Sequence, residues 1–86
     1  MIREPIAFPE GVRMTRANAA AMVQVASRYE ARVMIERAHK IVNAKSMLGL
    51  LSLYVDTQDG MMLLAEGPDE REAADAVQAL VQQLGK

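Results

Sequence analysis

Val33 and Ile35 alternate with Arg32, Met34 and Glu36, and a period of two marks a strand. Met61 to Glu66 repeats the pattern, with Met61, Leu63 and Ala65 on one face and Met62 and Leu64 on the other. Ile2 to Phe8 reads as a further strand, with Ile6 and Phe8 sharing a face. Pro5 cannot donate a ladder hydrogen bond, which predicts that this strand lies at a sheet edge. Ala38-His39 predicts a hairpin turn from the Val33 strand into a short one over Lys40–Asn43. Elsewhere the spacing turns helical. Ala19, Met22, Val23 and Ala26 give one apolar stripe, in a helix expected from about Arg16 to Arg28 with Thr15 as its N-cap. Ala73, Ala76, Val77, Leu80 and Leu84 give another, and Ser46 to Leu53 is expected as a short third helix.

The breaks fall between these segments. Pro9-Glu10-Gly11 and Thr57-Gln58-Asp59-Gly60 mark loops, and Gly67-Pro68 ends the last strand. Pro68 suits a first helical turn, Asp69, Glu70 and Glu72 suit a helix N-terminus, and Gly85 suits its stop. The element order is βαββαβα. The hairpin makes the sheet antiparallel in part, so the expected architecture is a two-layer α+β domain with its helices on one face.

Composition narrows the chemistry. A chain of 86 residues reads as a single domain, residues 1–86. Without cysteine there is no disulfide, thiolate metal site or cysteine nucleophile, which suits a cytoplasmic protein. No signal peptide and no membrane span are expected, because no apolar run approaches 18 residues. A net charge of −1 gives no general attraction to nucleic acid. The charge is nonetheless split: residues 1–46 hold eight Lys/Arg against four Asp/Glu, and residues 47–86 hold two against seven. An acidic partner would meet the first half; the alternative reading is two solvated faces that attract one another.

The stretch VNAKSMLGLLSL raises the chemical question, because Ser46 alone heads an apolar run. Serine is a favoured N-cap, and it is also a hydroxyl that can be modified. This stretch, with VQVASRYEARVMIE and AEGPDEREAADAVQALVQQL, resembles HPr, the histidine-containing phosphocarrier family of the bacterial sugar phosphotransferase system, and most of all its Crh branch. The resemblance covers nearly the whole chain. It implies an open-faced β-sandwich with strand order 1-4-2-3. It also implies that Ser46 matches the regulatory serine modified by an ATP-dependent HPr kinase/phosphorylase. Met47, Leu48 and Leu51 match the apolar patch that docks the kinase and the catabolite control repressor, while Leu50 and Leu53 suit the core. A phosphate on Ser46 would face free N–H groups at a helix start, with Lys45 as a neighbouring cation.

One departure from the family matters more than the match. The carrier motif, Gly-Leu-His-Ala-Arg-Pro, falls on Arg13-Met14-Thr15-Arg16-Ala17-Asn18 when counted without gaps from VQVAS. Thr15 then holds the place of the carrier His and Ala17 that of the phosphate-steadying Arg. Starting at Gly11 puts Arg13 in the carrier place instead. Neutral imidazole is a nucleophile near pH 7. A threonine ester is a poor phosphoryl donor, and arginine does not deprotonate. Relay of phosphate is therefore not expected, nor is enzymatic activity, and the Crh branch has the same loss. Arg13 and Arg16 offer substitute charge at the repressor-binding end of this helix. His39, the single histidine, lies in the hairpin turn with no second ligand near in sequence, and neither a metal nor another cofactor is expected.

Three readings follow. The first is a non-carrier regulatory protein, phosphorylated on Ser46, that binds a transcriptional regulator or enzyme in carbon catabolite control. The second is an unphosphorylated interaction module working as a homodimer. The third, least favoured, is a phosphocarrier with a displaced acceptor. For the dimer, period two sends Met34, Met62 and Leu64 to the open face of the sheet, and Ile41 with them, where they would form one apolar patch.

Overall fold

The structure is a computed structural model of the chain, and the residues it describes are 1–53 and 60–84. The elements run β1 (Ile2–Ile6), α1 (Arg16–Ala26), β2 (Arg32–Arg37), β3 (Lys40–Asn43), α2 (Met47–Leu51), β4 (Met61–Glu66) and α3 (Glu70–Gln83). The four strands form one antiparallel sheet in the order β1-β4-β2-β3, with the helices on one side. The order, the sheet and the edge position of the proline-bearing strand are as expected. Ala38, with φ of 54°, and His39 make the β2–β3 turn. The expected turn at residues 57–60 lies outside the described residues except for Gly60, and Gly85 lies outside them as well. No helix among the described residues is long and apolar enough to cross a membrane.

β1 is shorter than expected, because its partner β4 begins at Met61, opposite Ile6. Ala7 and Phe8 have left the ladder, yet Phe8 still fills the core. α1 also ends early, at Ala26. Its last turn tightens, as the N–H groups of Arg28 and Tyr29 donate to the carbonyls of Val25 and Ala26. Pro68 stands outside α3 rather than in its first turn, since Asp69 is the N-cap.

Val33, Ile35, Met61, Leu63 and Ala65 point inward as expected and are buried with Ala19, Met22, Ala26 and Leu50. The buried line of α3 is Ala73, Ala74, Val77 and Val81, whereas Ala76, Leu80 and Leu84 are only half-buried. On the side that turns toward β1, the Arg71 and Gln78 side chains hydrogen-bond to Glu4, and Gln78 also donates to the Pro5 carbonyl. Val23 on α1 lies on the flank of the core in the same way.

On the open face, register sets Arg3, Leu64, Met34 and Asn43 in one row and Pro5, Met62, Glu36 and Ile41 in the next. Arg3 Nη2 reaches Glu36 Oε1 at 3.1 Å, so an ion pair joins β1 to β2 diagonally across β4. Leu64 is left 8% exposed, and Met34 and Met62 are half-buried. Ile41 is 54% exposed, and Glu36 stands between it and Met62 in their row.

Candidate functional site

The β3–α2 junction is built by Asn43 and Ser46. The Asn43 side-chain oxygen accepts from the Lys45 N–H at 2.8 Å, and its carbonyl accepts from the Ser46 N–H at 3.0 Å. The chain thereby turns out of the sheet and presents Ser46 as the N-cap of α2, where Oγ accepts from the Gly49 N–H at 3.1 Å. A Cβ built on Gly49 would stand 3.4 Å from Ser46 Oγ, an ordinary van der Waals contact, so space alone does not demand a glycine there. At the other end Ser52 Oγ donates to the Gly49 carbonyl and Lys40 Nζ to the Ser52 carbonyl, which places a cation at the helix C-terminus.

The side chains of α2 divide as the sequence predicts. Leu50 and Leu53 are buried. Leu48 is 82% exposed and Leu51 39%, while Met47 is half-buried against the core. Ser46 is itself half-exposed beside them. A hydroxyl and an apolar ledge thus share one short helix.

The Lys45 ammonium donates to the Tyr29 carbonyl at 2.7 Å. The same turn is held from its other side by Asp69, whose two carboxylate oxygens accept from the N–H groups of Glu30 (3.0 Å) and Ala31 (2.8 Å). Those backbone donors, with the Lys45 cation adding to them, hold the Asp69 carboxyl below its ordinary pKa. No local signal in Gly67-Pro68-Asp69 announces this, because the partners lie 38 and 39 residues away.

Thr15 caps α1, its Oγ1 accepting from the Asn18 N–H at 3.1 Å, while Asn18 Nδ2 donates back to the Arg13 carbonyl at 2.7 Å. Arg13, Thr15, Arg16 and Ala17 are all exposed at this end of the helix. The position holds a hydroxyl already engaged as a cap and two cations, but no imidazole. His39 is exposed in the β2–β3 turn. Among the described residues, no three His, Asp or Glu side chains are grouped so as to hold a metal ion.

Comparison with known proteins places this geometry. Curated relatives include the HPr-like protein Crh of Bacillus subtilis, 46% identical over 65 residues, 76% of each chain. A crystal structure of the phosphocarrier protein HPr from Bacillus anthracis superposes with a TM-score of 0.84 at 34% identity, covering 94% of this chain and 96% of that one. A crystal structure of Bacillus subtilis Crh, described as a swapped dimer, gives a TM-score of 0.74 at 37% identity over 94% and 93% of the two chains. The family model described as the PTS HPr component phosphorylation site matches residues 6–83, and the chain belongs to the HPr family.

Proposed function

We propose that the chain is a non-carrier, regulatory member of its family, acting in the bacterial cytoplasm through phosphorylation of Ser46. The observation that carries this reading is the pairing on α2 of a half-exposed serine with the exposed Leu48 and Leu51. HPr kinase moves the γ-phosphoryl group of ATP to Ser46 Oγ, the hydroxyl proton leaves, and ADP is released. The phosphate oxygens then take over acceptance from the Gly49 N–H and carry close to two negative charges. Met47, Leu48 and Leu51 supply the apolar contact for the kinase and for a catabolite control repressor or enzyme, and the exposed Arg13 and Arg16 supply charge beside it. Lys45 joins this surface only by leaving the Tyr29 carbonyl.

Thr15 does not act as a phosphoryl carrier in this reading. Its hydroxyl is engaged as a cap, and a phosphothreonine ester has too low a transfer potential to pass the group on. Incubation with HPr kinase and ATP should add one phosphoryl group to the wild type and none to Ser46→Ala. Enzyme I with phosphoenolpyruvate should add none to either. Equal incorporation in the Ala variant, or acid-labile phosphate from the enzyme I arm, contradicts the assignment.

The swapped dimer of Crh supports a second element of the reading, self-association by strand exchange. Face-to-face packing through Met34, Ile41, Met62 and Leu64 is the weaker route to a dimer. The Arg3–Glu36 pair lies over β4, and Leu64 is already covered in the single chain.

A further inference from the structure

Residues 27–31, 44–46 and 67–69 form the α1–β2, β3–α2 and β4–α3 connections, and the first is held by the other two. Lys45 Nζ donates to the Tyr29 carbonyl at 2.7 Å. Asp69 accepts from the Glu30 N–H at 3.0 Å and from the Ala31 N–H at 2.8 Å. The bonds of the turn back to its own helix are longer: 3.2 Å from the Arg28 N–H to the Val25 carbonyl, and 3.3 Å from the Tyr29 N–H to the Ala26 carbonyl. The shape of the turn therefore rests on two charged side chains brought from elsewhere in the chain. The Lys45 charge is felt by the Asp69 carboxylate, so the two holds adjoin. Lys45 is also the residue next to Ser46. The N–H groups of both residues are bonded to Asn43, which fixes the backbone between them and leaves the lysine stem as the movable part.

We infer that Lys45 is a two-position latch coupling phosphorylation of Ser46 to the α1–β2 turn: the phosphate draws the Lys45 ammonium off the Tyr29 carbonyl, and the turn, left to Asp69, opens more often. The two acceptors differ in charge. A backbone carbonyl is neutral, whereas a phosphoserine carries close to two negative charges and bonds an ammonium more strongly. The new acceptor is also within reach. Consecutive Cα atoms stand about 3.8 Å apart, and the flexible four-carbon lysine stem swings its ammonium past a neighbouring side chain. The Tyr29 carbonyl is not stranded by the change. Its turn lies at the surface, with Arg28 and Glu30 exposed, so water replaces the ammonium there. What is lost is a constraint between two connections, and a turn with fewer constraints opens locally at lower cost. A bound group shifts a two-state element only through its different affinity for the two states. Here the difference is one ammonium, available to the phosphate only when the turn has let it go.

The inference rests on modification of Ser46 in the proposed function but not on the kinase, so the test encodes phosphoserine at position 46 during synthesis. A kinase that leaves Ser46 untouched then counts against the proposed function alone. Two NMR readouts follow the latch: the scalar coupling across the hydrogen bond from Lys45 Nζ to the Tyr29 carbonyl carbon, and amide hydrogen exchange at Glu30 and Ala31. The coupling should be present in the unmodified chain and absent from the phosphorylated one. Exchange at Glu30 and Ala31 should rise about three- to tenfold on phosphorylation, the size expected for one hydrogen bond lost locally. Exchange at Ala19, whose N–H donates to the Thr15 carbonyl within α1, should not change. Lys45→Met should show the faster exchange without phosphate and no further rise with it. The wild-type comparison needs no substitution and decides the matter alone if the Met variant folds poorly. A coupling that survives phosphorylation, or unchanged exchange at Glu30 and Ala31, overturns the latch. A rise of equal size at Ala19 overturns it too, since that is a loss of global stability rather than an opening of the turn.

Discussion

Asp69 occupies an N-cap yet makes no side-chain bond to its own helix; its carboxylate closes the α1–β2 turn instead. The Glu30 N–H is the largest influence lowering its pKa, and the neighbouring Glu70 is lowered in the same direction, first by the Gly67 N–H. A carboxyl whose pKa is lower folded than unfolded contributes stability that is present above the unfolded value and lost as pH falls through the folded one. Urea midpoints of the wild type should therefore fall as pH drops from about 5 toward 2. Asp69→Asn should be less stable than the wild type at pH 7 and show a shallower fall. Parallel pH profiles for the two proteins would remove Asp69 from the account. Lys45 shows why residue roles were only partly legible. Its place beside Ser46 in sequence implied a cation beside a phosphate, but the long side chain finds the Tyr29 carbonyl, 16 residues back in the chain.

Between elements, the backbones come close at Gly67, whose φ is +150°. A Cβ there would stand 2.7 Å from the Ala31 Cα and 3.2 Å from its Cβ, so the β4–α3 and α1–β2 connections touch through a glycine. Gly67→Ala should destabilise the fold by roughly 2–3 kcal/mol, from backbone strain and overpacking together. For a chain of this size that lowers the thermal midpoint by about 4–8 °C for each kcal/mol lost. A midpoint within a degree or two of the wild type would show that the two connections move apart freely. The strands and their faces were legible because alternation is a local signal, and Pro5 named the edge strand for an equally local reason. The roll of α3 was not legible. The buried line runs through Ala74 and Val81 rather than Ala76 and Leu80, and it is accompanied by long-range contacts such as Arg71 with Glu4, 67 residues away. The ion pair from Arg3 to Glu36 was hidden in the same way, and with it the covering of Leu64.

Across the whole molecule the basic first half and the acidic second half meet at defined points: Glu4 with Arg71, and Lys45 near Asp69. Each half thus sends a charge of its minority or majority sign across the seam, while Arg13 and Arg16 remain exposed at the start of α1. What this arrangement leaves for a partner is the ledge of Leu48 and Leu51, the hydroxyl of Ser46 and the two arginines. The central claim is that a phosphate on Ser46 changes what this surface binds. The direct measurement is titration calorimetry of a catabolite control repressor against the unmodified chain and against the chain phosphorylated on Ser46. Two or three charge-assisted hydrogen bonds to the phosphate should tighten binding at least about tenfold, and Leu48→Ser should weaken the phosphorylated complex. Equal affinity for the two forms would contradict the account.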